Sequence, residues 1–363
     1  MDVSEERTEE QGRMTTRTWT VRAALVAAAV AVVLGTGAAP AGAAGQPASP
    51  AVAQTAAQTG RYPAVLVGHG DSLHPEGAGW DPVHRRFLVG SMRHGTVAAV
   101  RPDGSTAVLV DDPALVTVVG VHVDAERGRI LVANGDTGAG LRSTAATTRR
   151  VAGIGAYDLA TGRRLFYTDL AAVAADGGEH LANDLVVGPD GTVYVTDSFA
   201  PVVYRVAPGG TASVLVRDDR LAPQPGAFGL NGIVRSGGTL VIGKYDDGTL
   251  WRVPIARPER LSRIPVAGDG DRLLGLDGLL SRPDGTLLGI TNHLGGSGAE
   301  SRVELRSADG WRTARLTAVR PTPDAATTVL TPGPGGSVYQ LSGRLDLLFA
   351  GTPVDEFTLR RVG

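Results

Sequence analysis

The sequence predicts an all-β fold, a six-bladed β-propeller, and three observations carry that prediction. Short apolar runs recur along the chain, punctuated by 50 Gly and 22 Pro, with no helical periodicity between them. From Tyr62 onward one unit repeats six times: strand, tight turn, strand, loop, strand. Each unit approximates the length of a four-stranded propeller blade, about 40–50 residues.

The unit is clearest in the third repeat. Leu185-Val186-Val187 leads into Pro189-Asp190-Gly191, then Thr192 to Thr196, then Val202 to Val206. Asp-Gly between alternating apolar runs marks a hairpin, because Gly accepts the positive φ of the turn. Related units begin near Glu76, Gly120, Asn183, Asn231, Asp277 and Thr327, spaced 44 to 63 residues apart. The longest spacing carries an insertion around Leu141 to Arg150. A strand at Ala64 to Val67 precedes the first unit and one at Phe357 to Val362 ends the last; they are expected to meet in one blade and close the ring. A β-sandwich also has regularly spaced strands, but six-fold self-similarity over residues 61–363 favours the propeller. Trp80-Asp81 is the only Trp-Asp pair and stands before a first hairpin, which argues against a WD-type propeller.

The N-terminus reads as an address. Arg13, Arg17 and Arg22 precede an apolar stretch from Ala23 to Leu34 and a small-residue site, Ala41-Gly42-Ala43. Residues 1–43 therefore read as a Sec-type secretory signal peptide, with Met14 as a second candidate start, and the apolar run is too short to span a bilayer. Residues 44–60, rich in Ala, Gln and Pro, read as a disordered tether. The mature protein is expected to be secreted, with no membrane partner after cleavage; a chain tethered by an uncleaved N-terminus is the alternative.

Composition removes several function classes. Thirty-five basic residues against 37 acidic ones give a net charge of −2, which offers no field for nucleic acid. With 0 Cys there are no disulfides, thiolate metal sites or Cys nucleophiles. Lys244 is the single lysine among the 35 basic residues.

In a propeller the innermost strand of each blade starts beside the central channel. In four units the residue at that phase carries a carboxylate or amide oxygen: Glu76, Asn183, Asn231 and Asp277. Singly, Asn-Gly and Asp-Gly are turn formers. At a common phase in four units, two carboxylates and two amides define a hard-cation site, suited to calcium. Magnesium would need tighter octahedral geometry, and zinc would recruit His or Cys, neither of which stands at these positions.

These residues carry a likeness. Pro75-Glu76-Gly77 with Trp80-Asp81, Asn183-Asp184-Leu185 with Pro189-Asp190-Gly191, Asn231-Gly232 and Asp277-Gly278 make the chain resemble the regucalcin (senescence marker protein)/gluconolactonase/luciferin-regenerating-enzyme family. Its wider relatives include the diisopropylfluorophosphatase and paraoxonase propellers. The resemblance covers about residues 62 to 362 and implies that Glu76, Asn183, Asn231 and Asp277 hold a catalytic divalent cation. Sugar-lactone members usually carry Arg two residues before the first Asn; here that position is Leu181, which sets gluconolactone apart as a substrate.

The expected activity is metal-dependent hydrolysis of a small lactone or ester, with the cation polarising the carbonyl. Asp277 would be general base or nucleophile, and Asn183 would orient the substrate. Loops after each second strand should reach the mouth: Ser91 to His94, Asn134 to Thr137, Ser198-Phe199, Lys244 to Asp246 and Asn292-His293. Within them Lys244, His293 and Ser198 are candidate substrate contacts, and His180 is a candidate to orient a metal ligand. Gly295-Gly296-Ser297-Gly298 has no helix after it, so a serine-nucleophile elbow is rejected. Two other readings share the site: a non-catalytic calcium-containing binding propeller, and a tailoring enzyme of secondary metabolism.

Overall fold

The structure, a computed structural model, describes residues 62–268, 271–296 and 298–363. Residues 1–43 and 44–60, read from sequence as signal peptide and tether, lie outside the described residues. No helix among the described residues is long and apolar enough to cross a membrane.

The fold is all-β and propeller-like, built from antiparallel four-stranded meanders. The first runs Pro75–Asp81, Arg86–Ser91, Thr96–Val100 and Thr106–Asp111, each strand pairing with the next. The later inner strands are Thr117–Asp124, His180–Val187, Leu230–Ser236, Leu276–Ser281 and Thr327–Pro332. They follow one another in a closed ring, the last packing against the first. Strands such as Val193–Asp197 and Thr239–Lys244 are buried on both faces and carry near-continuous apolar runs, because each sheet is sandwiched between neighbours.

Hydrogen bonding yields five sheets where six separate ones were expected. The second and third meanders merge into one sheet of eight strands because Arg150–Asp158 touches His180–Val187 in parallel, at Arg150–His180 and Val151–Leu181. The insertion around Leu141 to Arg150 ends in this contact.

Ring closure follows the expectation. Val65–His69 pairs antiparallel with Glu356–Val362, Val65 opposite Arg360 and His69 opposite Glu356. The N-terminal strand thereby supplies the outer edge of the sheet begun by Thr327–Pro332. Aromatic residues pack this seam edge to face: Tyr62 against Phe87 at 5.1 Å between ring centres, and Phe87 against Tyr339 at 4.9 Å. Such pairs add about 0.5–1.5 kcal/mol each beyond area burial.

Every inner strand carries a register shift near its start. The shifts fall between Pro75 and Ala78, Val118 and Val121, Ala182 and Leu185, Leu230 and Ile233, Leu276 and Leu279, and Thr327 and Val329. A bulge bends the strand and re-aims one side chain, here toward the ring axis. The close approach this requires explains two glycines. A Cβ at Gly77 would sit 2.3 Å from the Val119 carbonyl, and one at Gly232 would sit 2.4 Å from the Asp277 carbonyl. Only Gly lets neighbouring bulges touch backbone to backbone.

Candidate functional site

The re-aimed residues converge. Glu76, Asn183, Asn231 and Asp277 line one cavity at the end of the ring where the inner strands begin. Val119 and Thr328 occupy the same bulge in the two remaining inner strands and line the cavity with them. All six inner strands thus contribute a side chain from the bulge, and His180–Val187 adds Leu181. The cavity is tight, with about 50 Å³ of space open to water.

Asp277 is the most constrained of the four. Its Oδ2 accepts a hydrogen bond from the Asn292 amide at 2.6 Å, and the same amide donates to the Thr327 carbonyl at 2.9 Å. The Tyr245 hydroxyl donates to Asn292 Oδ1 at 2.6 Å, which fixes the amide with its nitrogen toward Asp277. The Asp277 carboxyl is pushed up to about 7: burial raises it most, hydrogen bonds from Asn292 and Asn231 offset part of the rise, and the charges of Asp184 and Glu300 add to it. Glu76 is held well above the usual carboxylate range by burial, then by Asp277 and Asp184.

Asp184 lies below the cavity floor. It accepts from the Leu185 and Ile233 amides at 2.8 and 3.2 Å, with His122 Nε2 at 3.9 Å. Burial raises its carboxyl, partly offset by His122 and the two amides.

Among the described residues, no Lys, Arg or His lines the cavity, so its carboxylates have no protein cation facing them. Nor do three or more His, Asp or Glu side chains cluster in a metal-like group among the described residues. The donor set is therefore two carboxylates completed by amide oxygens. Crowded, desolvated carboxylates without a counter-charge fit a hard divalent cation, which would lower both raised pKa values at once.

The four further candidates do not line the cavity. Lys244 is buried and donates to Asp246 Oδ1 at 2.6 Å and Asp247 Oδ2 at 2.9 Å, which holds its charge inside the loop. Ser198 is buried and donates to the Leu230 carbonyl at 2.6 Å, tying two meanders together. His293 points outward and lies 2.9 Å from Glu300. His180 is buried between Asp197 Oδ2 at 2.7 Å and Asp176 Oδ1 at 2.8 Å, where it anchors the start of the strand that carries Asn183. Burial alone would lower its pKa, but the two carboxylates outweigh it and the net shift is upward.

The loops chosen from sequence do reach the mouth, through other residues. Met92, Thr137 and Tyr245, all inside those loops, line the cavity, as does Leu294, one residue beyond Asn292-His293. Asn292 was inside a flagged loop, but its bond to Asp277 joins residues 15 positions apart and left no sequence signal.

The class of protein this architecture defines is the propeller-like all-β fold, and solved structures of that class match it. The Malassezia sympodialis allergen Mala s 1 aligns with 84% of this chain and 97% of its own, at 17% identity and a TM-score of 0.66. A gluconolactonase from Xanthomonas campestris aligns over 82% and 89%, at 20% identity and a TM-score of 0.54. A calcium-binding regucalcin from Agrobacterium tumefaciens aligns over 80% and 91%, at 18% identity and a TM-score of 0.54. The likeness is one of fold, and it includes the proteins that the sequence motifs resemble. No family model and no curated protein matches the sequence.

Proposed function

We propose that this chain is a secreted, metal-dependent hydrolase of a small lactone or ester, working at the mouth of a six-bladed propeller. The single observation that carries the reading is the convergence of Glu76, Asn183, Asn231 and Asp277 in one cavity that no basic side chain lines. The blade count is supported by six bulged inner strands following one another in a ring. Residues 61–363 form the propeller in this reading, with 1–43 as signal and 44–60 as tether.

Glu76, Asn183, Asn231 and Asp277 would hold one divalent cation, calcium ahead of magnesium and zinc, and when bound it would supply Lewis-acid polarisation of the substrate carbonyl. Asp277 acts as general base: its carboxylate, braced by Asn292, takes a proton from the attacking water. With the cation bound beside it, the Asp277 carboxyl would be drawn down from its raised value and stand ionised near neutral pH, ready to accept the proton. Asn183 orients the carbonyl through its amide.

Metal analysis of the purified chain, before and after EDTA, tests this reading alongside lactone and aryl-ester hydrolysis. One calcium per chain, with hydrolysis lost in EDTA and restored by calcium, is the expected result. A chain that binds no divalent metal would overturn the site, and a calcium-loaded chain that turns over no ester or lactone would overturn the hydrolase.

A further inference from the structure

Above the acidic floor, the walls of the cavity are hydrocarbon. Met92, Val119 and Leu181 face it from one part of the wall; Phe228, Leu294, Leu345 and Phe349 face it from the rest. Most of them belong to one apolar cluster with Phe199 and Leu348. The aromatic part is layered. Phe228 stacks on Phe199 with ring centres 5.3 Å apart and meets Tyr245 edge-on at 6.3 Å. Phe349, at the end of the short helix Leu345–Phe349, is 43% exposed, so an apolar ring stands at the opening.

Polar groups near the mouth are turned elsewhere. The Arg149 guanidinium lies 3.7 Å above the Phe199 ring and bonds Glu179 at 2.7 Å. Lys244 is held by two aspartates, and His74 Nδ1 faces the Gly343 and Arg344 carbonyls at 3.0 Å each. The Tyr245 hydroxyl is spent on Asn292. Of the wall's hydroxyls, Thr137 Oγ1 is buried with no partner. A guest with many hydroxyls would leave most of them unpaired, at a cost on the order of tenfold in affinity for each. A guest with an aliphatic or aromatic body gains roughly fourfold for each methylene it buries.

We infer that the cavity takes the reacting group of an uncharged lactone or ester whose alkyl or flat-ring body lies along the apolar mouth toward Phe349, in preference to a polyhydroxylated or anionic one. The ester group of this ligand rests on the hydrolase reading above; the apolar body rests on the walls alone.

The test measures binding and turnover separately, on the full calcium-loaded chain. Three non-hydrolysable lactams are titrated by calorimetry: a δ-lactam with a pentyl tail, unsubstituted δ-valerolactam and gluconolactam. The pentyl lactam is expected to bind at least about tenfold tighter than either of the others, as methylene burial requires. Phe349→Ser, at an exposed position, and Phe228→Ala should each narrow that ratio by about threefold or more. Equal or tighter binding of gluconolactam, or no binding of any lactam, overturns the inference. The matching lactones are then assayed. Pentyl-lactam preference with no lactone turned over sinks the hydrolase reading and leaves the ligand class standing. Gluconolactone hydrolysed with a kcat/KM equal to or above that of the pentyl lactone overturns the ligand class and leaves the hydrolase reading standing.

Discussion

Asn292 grips Asp277 from behind: its amide nitrogen donates to Asp277 Oδ2 at 2.6 Å, while its carbonyl oxygen accepts from the Tyr245 hydroxyl at 2.6 Å. All three side chains are buried, so the amide cannot turn without losing both bonds. Replacing Asn292 by Ala should cost about 1–3 kcal/mol of stability, because the Tyr245 hydroxyl and one Asp277 oxygen lose their partner. Hydrolysis should fall on the order of a hundredfold as Asp277 loses its orientation. Thermal unfolding and kcat together check this; an unchanged kcat in a folded variant would remove Asn292 from the mechanism.

The acidic floor makes stability depend on pH. Asp277 is raised from 3.8 to about 7, so the folded chain keeps a proton that the unfolded chain releases. A raised carboxyl contributes stability that is complete below about pH 4 and lost as pH climbs through about 7. In EDTA, Tm should therefore fall by several degrees across that interval. Millimolar calcium should cancel the fall, and a flat Tm profile in EDTA would contradict it.

Asp277→Asn removes a buried, repelled charge while keeping the shape. The variant should melt as high as the parent or higher in EDTA at pH 8, yet lose most of its calcium-induced rise in Tm. Hydrolysis should drop by roughly 10³-fold or more, the scale expected when a general base and a cation ligand go together. Scanning calorimetry with and without calcium separates the two effects.

His180 behaves in a comparable way but for structural reasons. Its pKa is raised in the fold, so the stability it lends is full below about 6.5 and fades as pH rises through the higher folded value. His180→Gln should destabilise by about 3 kcal/mol at pH 6, since Asp197 and Asp176 lose their shared partner. The deficit should shrink above pH 8. Urea midpoints at the two pH values provide the measurement.

Gly77→Ala tests the close approach of the bulges. A methyl group 2.3 Å from the Val119 carbonyl forces two inner strands apart, at about 1–3 kcal/mol. Glu76 moves with Gly77, so calcium affinity should fall as well. An alanine variant with parental Tm and calcium affinity would show that the ring tolerates the spread.

Local chemistry made much of this molecule legible. Turn residues such as Pro189-Asp190-Gly191 and the alternation around them place strand pairs, because they act within a few residues of sequence. Repetition of that pattern announced the propeller-like ring, and the common phase of Glu76, Asn183, Asn231 and Asp277 announced their convergence. The same bulge in the other two inner strands holds Val119 and Thr328, which carry neither a carboxylate nor an amide.

The loop residues chosen for their chemistry stand one position away from those that line or back the cavity. Lys244, His293 and Ser198 attracted attention for their chemistry, whereas their neighbours Tyr245 and Leu294 line the cavity and Phe199 backs it. Successive residues leaving a strand point to opposite sides, so a polar side chain at a strand end can be buried in a sheet contact while the next one faces the mouth. Which of the two faces inward depends on the register of each strand with its neighbours.

By itself, then, the sequence determined the all-β class, the repeat, the closing strand pair and four of the six residues at the inner bulges. Each of these depends on periodicity and turn chemistry, which are local. Only the tertiary structure decided that two meanders share one sheet, that Asn292 and Tyr245 brace Asp277, and that the cavity walls are apolar. Those outcomes depend on contacts between residues distant in the chain, where side-chain direction and packing, rather than residue type, determine what meets.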